Sequence, residues 1–379
     1  MTFVYWVAVG VTVAVVSLLA AGWYVANRLR EAIFGVYPRT RESPVRVREI
    51  GGGLMVLEAS EPYQDLGHPG VMGISWEGGD GRLGDVVGAS DGRITRRIET
   101  LNGEPPLCPG RLEDCSPVHL DSYAYPVGPG DVGLECEETT YQSELGPMSA
   151  WEVPAGKGDR WVVMCHGWTA ERRELVRMLP AFHRKGWSAL VVNYRNDPGM
   201  PLDPSGLYRF GLTEWRDLEA AVANVVGRGA KEITLMGCST GGALVMSFLE
   251  RSDLASRISA VVLDSPNLIL ADTVRLGTAP SGTPRLLIET GMWIADLRWH
   301  IDWEATNYVQ RADSYLDVPT LVFHGTSDQT VAIAQSRQLQ ARMPSLVELV
   351  ETPAAGHVRS WNADPELYER YLERFLDSI

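Results

Sequence analysis

From about residue 136 onward, short apolar runs of strand length alternate with amphipathic helical patterns. Six runs have the length of buried strands: 160–165, 188–194, 232–237, 258–264, 319–324 and 346–351. Helical patterns lie at 171–185, 213–227, 241–251, 331–342 and, with Asp364 as N-cap, 365–377. The alternation predicts an α/β fold, in which helices cover both faces of a mostly parallel sheet. Ligands of such sheets bind beyond the carboxyl ends of the strands, so we expect chemically active residues just after the strands.

A GxSxG motif follows one of these predicted strands. Residues 237–241 read Gly-Cys-Ser-Thr-Gly, directly after the run 232–237 and before a helical pattern. In this strand–turn–helix context the serine hydroxyl projects from a sharp turn, beside the N–H groups of a helix N-terminus. Ser239 is therefore the predicted nucleophile. The alternative is a small-residue turn, which would not require a serine at its centre.

A nucleophilic serine requires a base, and the base requires an orienting carboxylate. Of the seven histidines, His357 lies between the last predicted strand and the last predicted helix, and it is the predicted base. Asp328 follows the run 319–324 and is the predicted acid. Asp264, at the end of another run, is the competing acid, although a capping role is the favoured interpretation for it. His166 is predicted to be a structural residue of its loop.

The segment from about 136 to 379 resembles the α/β-hydrolase superfamily, and more loosely its single-pass, membrane-anchored serine hydrolases. Four motifs carry the resemblance, in this order: HGW at 166–168, GCSTG at 237–241, HGTSD at 324–328 and AGH at 355–357. The resemblance implies the chain order nucleophile, acid, base, which Ser239, Asp328 and His357 follow. It covers neither the N-terminal apolar segment nor the region after it.

The same resemblance implies an oxyanion hole and a lid. The oxyanion hole would consist of the backbone N–H groups of Trp168 and Thr240, and the Trp168 side chain would line the pocket. A lid would occupy about 267–316, an interval that contains three tryptophans, Trp293, Trp299 and Trp303. These tryptophans either pack the lid or form an apolar wall for the substrate. Arg195 follows another predicted strand, where a salt bridge is favoured over a contact with a substrate anion.

The N-terminus predicts a membrane anchor over residues 1–30. Residues 3–26 contain no charged side chain, with Tyr5 and Trp6 near one end and Trp23 and Tyr24 near the other. As a helix, this stretch would span ~36 Å, enough for a bilayer core, with aromatic residues at both interfaces. A buried helix and a cleaved signal peptide are the disfavoured alternatives. We expect the anchor to be separable from the enzyme, so that deleting residues 1–30 leaves turnover unchanged.

The charges beside this segment predict its orientation. Six arginines follow it and none precedes it: Arg28, Arg30, Arg39, Arg41, Arg46 and Arg48. This excess of arginine after the segment predicts that the rest of the chain lies in the cytoplasm, with Cys108 and Cys115 reduced. These two cysteines could pair in an oxidising compartment, and that possibility weighs against the predicted orientation.

Residues 31–135 predict a juxtamembrane and β-rich region, since they combine glycine, proline and short β-prone runs. The region contains a literal GxGxxG at 128–133. Nucleotide binding would require a strand before the motif and a helix after it, whereas prolines crowd its upstream side and a strand-like run follows. We therefore interpret the motif as a glycine-rich turn.

The chain has 34 lysines and arginines against 48 aspartates and glutamates, a formal net charge of −14 at pH 7. This acidity disfavours nucleic-acid binding. We expect a membrane-anchored serine hydrolase that cleaves a small-molecule or lipid-like acyl ester or thioester, without cofactor or metal. One alternative is a peptidase of the prolyl-oligopeptidase-like type, for which the β-rich region is too short to form the large propeller gate. The other is a catalytically inactive membrane scaffold on the same fold.

Overall fold

The computed structural model describes residues 2–36, 43–60, 63, 66–106, 108 and 110–379. Two sheets and nine α-helices lie within these ranges. Arg39 and Arg41, two of the arginines used for the orientation, lie outside them.

The chain begins with one long helix, α1, Thr2–Leu29, which continues into a short π-helix, Arg30–Phe34. The stretch Phe3–Phe34 is long and apolar enough to cross a membrane. Its most apolar part has a mean hydropathy of 2.3, and no residue of that part is buried. Its C-terminal part packs against the body of the protein, where Ala26, Leu29 and Phe34 are buried. The helix is therefore not separate from the body in space, although it is far from the sheet along the chain. The expectation that deleting residues 1–30 leaves turnover unchanged stays a prediction.

The region after α1 folds into a six-stranded sheet that is antiparallel throughout. The strands are β1 Val45–Gly51, β2 Leu54–Ala59, β3 Met72–Trp76, β4 Gly79–Ser90, β5 Arg93–Gly103 and β6 His119–Asp121. They are joined in the order β1-β2-β5-β4-β3-β6. The sheet has its own apolar core, which includes Val47, Leu57 and Ile74. An all-β module is what the turn-rich pattern of this region predicts.

Two further expectations concern the same region. The GxGxxG segment forms a 3-10 helix, Pro129–Val132, that ends at Gly133 with a left-handed φ of 74°, so its interpretation as a turn is confirmed. Cys108 and Cys115 form a disulfide. The expectation that they are reduced is therefore wrong for this structure. That expectation rested on the charges beside α1, which carry no information about the proximity of two cysteines.

The rest of the chain forms an eight-stranded sheet. Its strands are β7 Glu137–Ser143, β8 Gly146–Val153, β9 Arg160–Cys165, β10 Ser188–Val192, β11 Glu232–Cys238, β12 Ala260–Asp264, β13 Thr320–Gly325 and β14 Val347–Thr352. Their order is β14-β13-β12-β11-β9-β10-β8-β7. The two pairs that β8 forms, with β7 and with β10, are antiparallel; the pairs among β9 to β14 are all parallel. The predicted mostly parallel sheet is confirmed, and the six predicted strands match β9 to β14.

Eight more α-helices lie in the described part of this region, and some of them cover the two faces of the sheet. They are α2 Leu179–Arg184, α3 Trp215–Gly227, α4 Thr240–Arg251, α5 Leu270–Thr278, α6 Arg285–Trp299, α7 Ala334–Arg342, α8 Ser360–Ala363 and α9 Pro365–Asp377. The pattern predicted at 171–185 begins as a 3-10 helix, Arg172–Met178. One apolar core contains residues of α3 and α4, and another contains residues of α2 and α9. Asp364 caps α9 by accepting from the Leu367 N–H, as predicted.

The predicted lid interval contains α5 and α6, which lie between β12 and β13 in the chain. A third apolar cluster joins these two helices to the C-terminal part of α1 and to the loop at Leu207–Phe210. The predicted lid interval and the apolar N-terminal helix therefore share one core.

Candidate active site

Ser239 lies in a sharp turn between β11 and α4. Its φ of 51° and ψ of −116° fall in a region that residues with side chains rarely adopt, and such strain is concentrated at functional sites. The turn requires glycine on both sides. A Cβ at Gly237 would collide with the Gly241 carbonyl oxygen, and one at Gly241 would collide with that of Cys165. The chain therefore holds the Ser239 hydroxyl at the carboxyl end of β11, beside the N-terminus of α4.

The structure brings Ser239, His357 and Asp328 into one hydrogen-bonded chain. Nε2 of His357 lies 2.8 Å from Ser239 Oγ, and Nδ1 of His357 lies 2.7 Å from Asp328 Oδ2. The other carboxylate oxygen, Oδ1, accepts from the N–H groups of Thr330 and Val331, each at 2.8 Å. The Asp328 side chain is buried, and that of His357 is 17% exposed. His357 thus lies between the hydroxyl of Ser239 and the carboxylate of Asp328, which is the arrangement that nucleophilic catalysis requires.

A second histidine supports the carboxylate of Asp328. His324 Nε2 donates to the Val331 carbonyl at 3.0 Å and lies 3.2 Å from Asp328 Oδ2. Burial alone would raise the pKa of Asp328, but hydrogen bonds from His324 and His357 outweigh it and hold that pKa well below its usual range. Asp328 is therefore ionised at neutral pH, the state that stabilises an imidazolium on His357.

Asp264, the competing acid, lies apart from His357. It is fully buried at the end of β12, where its Oδ1 accepts from the Ser265 hydroxyl at 3.2 Å. Burial raises its pKa to about 6. The carboxylate in hydrogen-bond contact with His357 is that of Asp328, as the sequence motif indicates.

The loop after β9 passes directly against Ser239, the predicted nucleophile. A Cβ at Gly167 would lie 3.1 Å from Ser239 Cβ. The Gly167 N–H donates to Glu174 Oε2 at 2.8 Å, so this donor is already used. The next N–H along the loop belongs to Trp168, and Trp168 and Thr240 line the same cavity as Ser239 and His357. Their role as oxyanion-hole donors stays a prediction.

His166 holds this loop in place. Its Nε2 lies 2.9 Å from Asp197 Oδ2, its Nδ1 donates to the Gly167 carbonyl at 2.9 Å, and its ring stacks on Tyr194 at 4.7 Å. Burial lowers the pKa of His166, but the charge of Asp197 and the hydrogen bond to it outweigh burial and raise that pKa. Both ring nitrogens are engaged, in agreement with a structural role.

Arg195 is buried in a cluster of ion pairs. It lies 2.7 Å from Asp217, 2.9 Å from Glu144 and 3.4 Å from Asp203. It does not line the cavity at Ser239. The salt-bridge interpretation therefore describes this residue.

The cavity beside Ser239 has a volume of about 710 Å³, within the range of small-molecule sites. Its walls come from α1, α5, the start of α6 and the loop after β13. The lining residues used below are Tyr24, Val25, Leu29, Ile33, Val274 and Ile288. Its walls therefore combine the predicted lid with the apolar N-terminal helix.

The three lid tryptophans do not line this cavity. Trp303 donates from Nε1 to the Met292 carbonyl at 3.0 Å, and its ring lies 5.8 Å from that of Phe34. The Arg298 guanidinium lies 4.4 Å from the ring centre of Trp299. Trp293 is 52% exposed. Of the two roles considered for these residues, packing describes Trp299 and Trp303.

Two supporting residues escaped the sequence analysis. Glu174 was not singled out, although it holds the loop at Gly167. His68 comes from the region before β3, yet its Nε2 accepts from the Gly356 N–H at 2.9 Å, one residue before His357. Burial, reinforced by the charge of Arg359, lowers the pKa of His68 to about 4. Its ring is therefore neutral at pH 7 and free to accept that hydrogen bond. No motif near His68 indicates this contact across the chain.

Comparison with known proteins shows the family to which this chain belongs. The sequence pattern of the alpha/beta hydrolase family matches residues 162–370. The chain belongs to this family, and the predicted fold is confirmed.

Individual relatives agree with this assignment. An alpha/beta hydrolase domain-containing protein of Caenorhabditis elegans, aho-3, is 33% identical over 149 residues, which are 39% of this chain and 36% of that protein. The match thus spans about a third of that relative's length. An esterase of Pyrococcus furiosus superposes with a TM-score of 0.54 at 22% identity, over 67% of this chain and 96% of the esterase. A second crystal form of that esterase gives 0.53, at 22% identity over 67% and 94%. At this identity, the likeness to the esterase concerns the fold.

Proposed function

We propose that this protein is a membrane-anchored serine hydrolase that cleaves an acyl ester or thioester through an acyl-enzyme. The observation that carries the proposal is the hydrogen-bonded chain from Ser239 Oγ through His357 to Asp328, with distances of 2.8 and 2.7 Å, at the wall of a mostly apolar cavity. The family assignment and the similarity to an esterase fold support it.

The first half of the reaction forms the acyl-enzyme. Ser239 Oγ attacks the carbonyl carbon of the substrate while His357 Nε2 takes the hydroxyl proton. The bond from the carbonyl carbon to the leaving oxygen or sulfur then breaks, and His357 returns the proton to the leaving group. Asp328 stays ionised and stabilises the imidazolium.

The second half regenerates the enzyme. A water molecule gives a proton to His357 Nε2 and attacks the acyl carbon, and the carboxylic acid leaves as the proton returns to Ser239 Oγ. In both halves we assign the oxyanion to the N–H groups of Trp168 and Thr240. Donors aimed at charge that develops in the transition state contribute about 3 kcal/mol each.

We propose further that α1 spans a membrane once and that the catalytic body faces the cytoplasm. The support is the absence of charge over residues 3–26 and the arginines after them, beginning at Arg28 and Arg30. The Cys108–Cys115 disulfide is the observation that opposes this orientation, because disulfides persist in oxidising compartments.

The catalytic part is tested by labelling with a fluorophosphonate, which reacts with activated serines. Ser239→Ala should abolish labelling and lower ester turnover by about 10⁴ or more, since the nucleophile is lost. The matched control is Ser247→Ala, the same substitution one turn or more further along α4, which should keep both. Labelling that survives in Ser239→Ala would show that another residue reacts. An unlabelled wild-type protein would favour the inactive scaffold.

The orientation is tested with reporters fused after Ile379. A fluorescent protein that matures only in the cytoplasm should give signal, and alkaline phosphatase, active only outside, should not. An active phosphatase fusion would reverse the orientation and agree with the disulfide.

A further inference from the structure

The helix that resembles a membrane anchor also forms part of the catalytic body. Its C-terminal part lies against α6 of the lid at a very short distance. A Cβ at Gly22 would collide with the Thr290 side chain, and one at Gly291 would collide with Val25 and approach the Ala26 nitrogen to 3.2 Å. Small residues that let two helix backbones approach are the usual contact between helices in membranes. The contact between α1 and α6 is therefore a packed interface and not a loose tether.

Polar and aromatic contacts fix the same interface at its edge. Arg298 of α6 donates to Asn27 Oδ1 at 2.8 Å, and its guanidinium lies 3.6 Å from the ring centre of Trp23. Arg30 lies 5.7 Å from the ring centre of Trp299. These contacts hold the two helices in one register. The part of α1 beyond Gly22 thus has a defined position relative to Ser239.

That position makes α1 a wall of the catalytic cavity. Tyr24, Val25, Leu29 and Ile33 line the same space as Ser239, and across it lie Val274 and Ile288 of the lid. Most of this lining is apolar. A substrate bound at Ser239 would therefore lie in an apolar passage between the lid and the N-terminal helix.

The outer surface of this passage is apolar as well. On α1 most of the large side chains from Phe3 to Tyr24 are exposed, and on α6 Leu286, Trp293 and Leu297 are 64%, 52% and 59% exposed. Trp23, Tyr24 and Arg28 are the residue types that occupy the headgroup level of a bilayer. In a membrane, the wall formed by Tyr24 to Ile33 would therefore lie at the surface of the bilayer.

We propose that the cavity is an acyl-chain site with α1 as its outer wall, and that it takes a long-chain acyl ester resident in the bilayer. This inference rests on the proposed hydrolase function and adds the substrate class. The acyl chain lies along Val25, Leu29 and Ile33, with its carbonyl carbon at Ser239. Since each buried methylene contributes about a fourfold gain in binding, chain-length selectivity depends on α1 staying in place.

The test compares two leucine substitutions on the same helix. Gly22→Leu forces α1 away from α6, whereas a Cβ at Gly10 has nothing within 4 Å, so Gly10→Leu is the matched control. Full-length proteins in phosphatidylcholine vesicles are assayed with p-nitrophenyl esters from acetyl to hexadecanoyl. Gly22→Leu should lower kcat/KM for the longest esters at least about tenfold and for the acetyl ester by less than about threefold. Gly10→Leu should change neither. A Gly22→Leu profile equal to that of wild type would overturn the proposal.

A second measurement uses the wild-type protein, so its outcome does not depend on whether a variant folds. A fluorophosphonate with a long alkyl chain and a diazirine at the chain end is attached to Ser239 in vesicles and then photolysed. Crosslinks should map to residues 24–33, which comprise the end of α1 and the π-helix after it, or to α5. Crosslinks confined to the rest of the chain would overturn the acyl-chain site, while the labelling itself would leave the hydrolase function intact. If Ser239 is not labelled at all, the hydrolase proposal fails first.

Discussion

The two sheets of this protein relate to the cavity in different ways. The eight-stranded sheet presents Ser239, Asp328 and His357 beyond the carboxyl ends of its strands, and its helices cover both faces. The region before it, comprising α1 and the antiparallel sheet, contributes none of the reacting atoms. It contributes a wall, through α1, and a support, through His68. The eight-stranded sheet thus holds the residues proposed to react, whereas the region before it holds residues that position the substrate and His357.

The antiparallel sheet is joined to the loop of His357 by several contacts. The Val71 N–H donates to the Asn362 carbonyl at 2.8 Å, and Gly70 packs so closely on Asn362 that a Cβ there would collide with its backbone. Arg177 bridges the two regions, donating to the carbonyls of Ser122 and Val358. A change in this sheet should therefore act on catalysis through the position of the loop and have a moderate effect, whereas a change in the triad should have a large one.

The largest effect is expected at the acid. Asp328→Asn removes the charge that orients and stabilises His357 and should lower kcat by about 10³–10⁴. Asp264→Asn, on the neighbouring strand, should lower kcat by less than about tenfold. Both are measured on a soluble short-chain ester, with fluorophosphonate labelling as the second readout. The reverse ranking would show that the acid lies on β12.

Two truncations test whether α1 belongs to the body. Deleting residues 1–17 removes exposed helix only, so the protein should leave the membrane and keep its folding and its acetyl-ester activity. Deleting residues 1–34 also removes Leu29 and Phe34, both buried, at a cost of about 5 kcal/mol in the free energy of unfolding. Thermal unfolding of the two forms provides the comparison. Equal unfolding temperatures would mean that α1 is a separable tether after all.

A smaller effect is expected at His68. His68→Leu leaves the Gly356 N–H without its acceptor and should lower kcat about tenfold, with KM little changed, because the loop of His357 loses its position. His68→Gln offers an amide oxygen in its place and should restore most of that loss. Loss of activity in both variants alike would indicate a general packing defect.

The pH dependence of stability provides a further readout for His68. Its pKa falls from 6.5 to about 4 on folding, so the unfolded chain binds more protons between these values. Stability that is present at pH 7 should decline as the pH falls through 6.5 towards 4, by about 3 kcal/mol at most. In His68→Gln the unfolding temperature should change less over this range.

The sequence predicts the parts of the fold that are encoded locally. The strands and helices beyond residue 136 follow from their periodicity, and the turn at Ser239 follows from Gly237 and Gly241, which the close backbone contacts require. The candidates Asp328 and His357 are found because strand ends in a parallel sheet lie at one edge. All of these inferences use residues that are close in sequence to a recognisable strand or helix.

The remaining features depend on contacts between distant segments. Gly22 and Gly291 are ordinary helix glycines until α1 and α6 are seen together, and nothing around His68 indicates that it meets Gly356. The disulfide between Cys108 and Cys115 is a different case, because it depends on the local path of the chain, which net charge does not describe. The contacts of Gly22, Gly291 and His68 are tertiary contacts that leave no periodic pattern in the sequence, so they cannot be predicted from such a pattern.

If α1 spans a membrane, as we propose, its packed interface with α6 couples the shape of the protein to the thickness of the bilayer. A hydrophobic helix longer than the local bilayer tilts, and a helix on a flexible tether would do so without consequence for the body. Here α1 is held against the lid by Gly22 and Arg298, so a tilt of the helix turns the lid and the cavity mouth with it. In thin and thick membranes the same enzyme would thus present Ser239 at different depths.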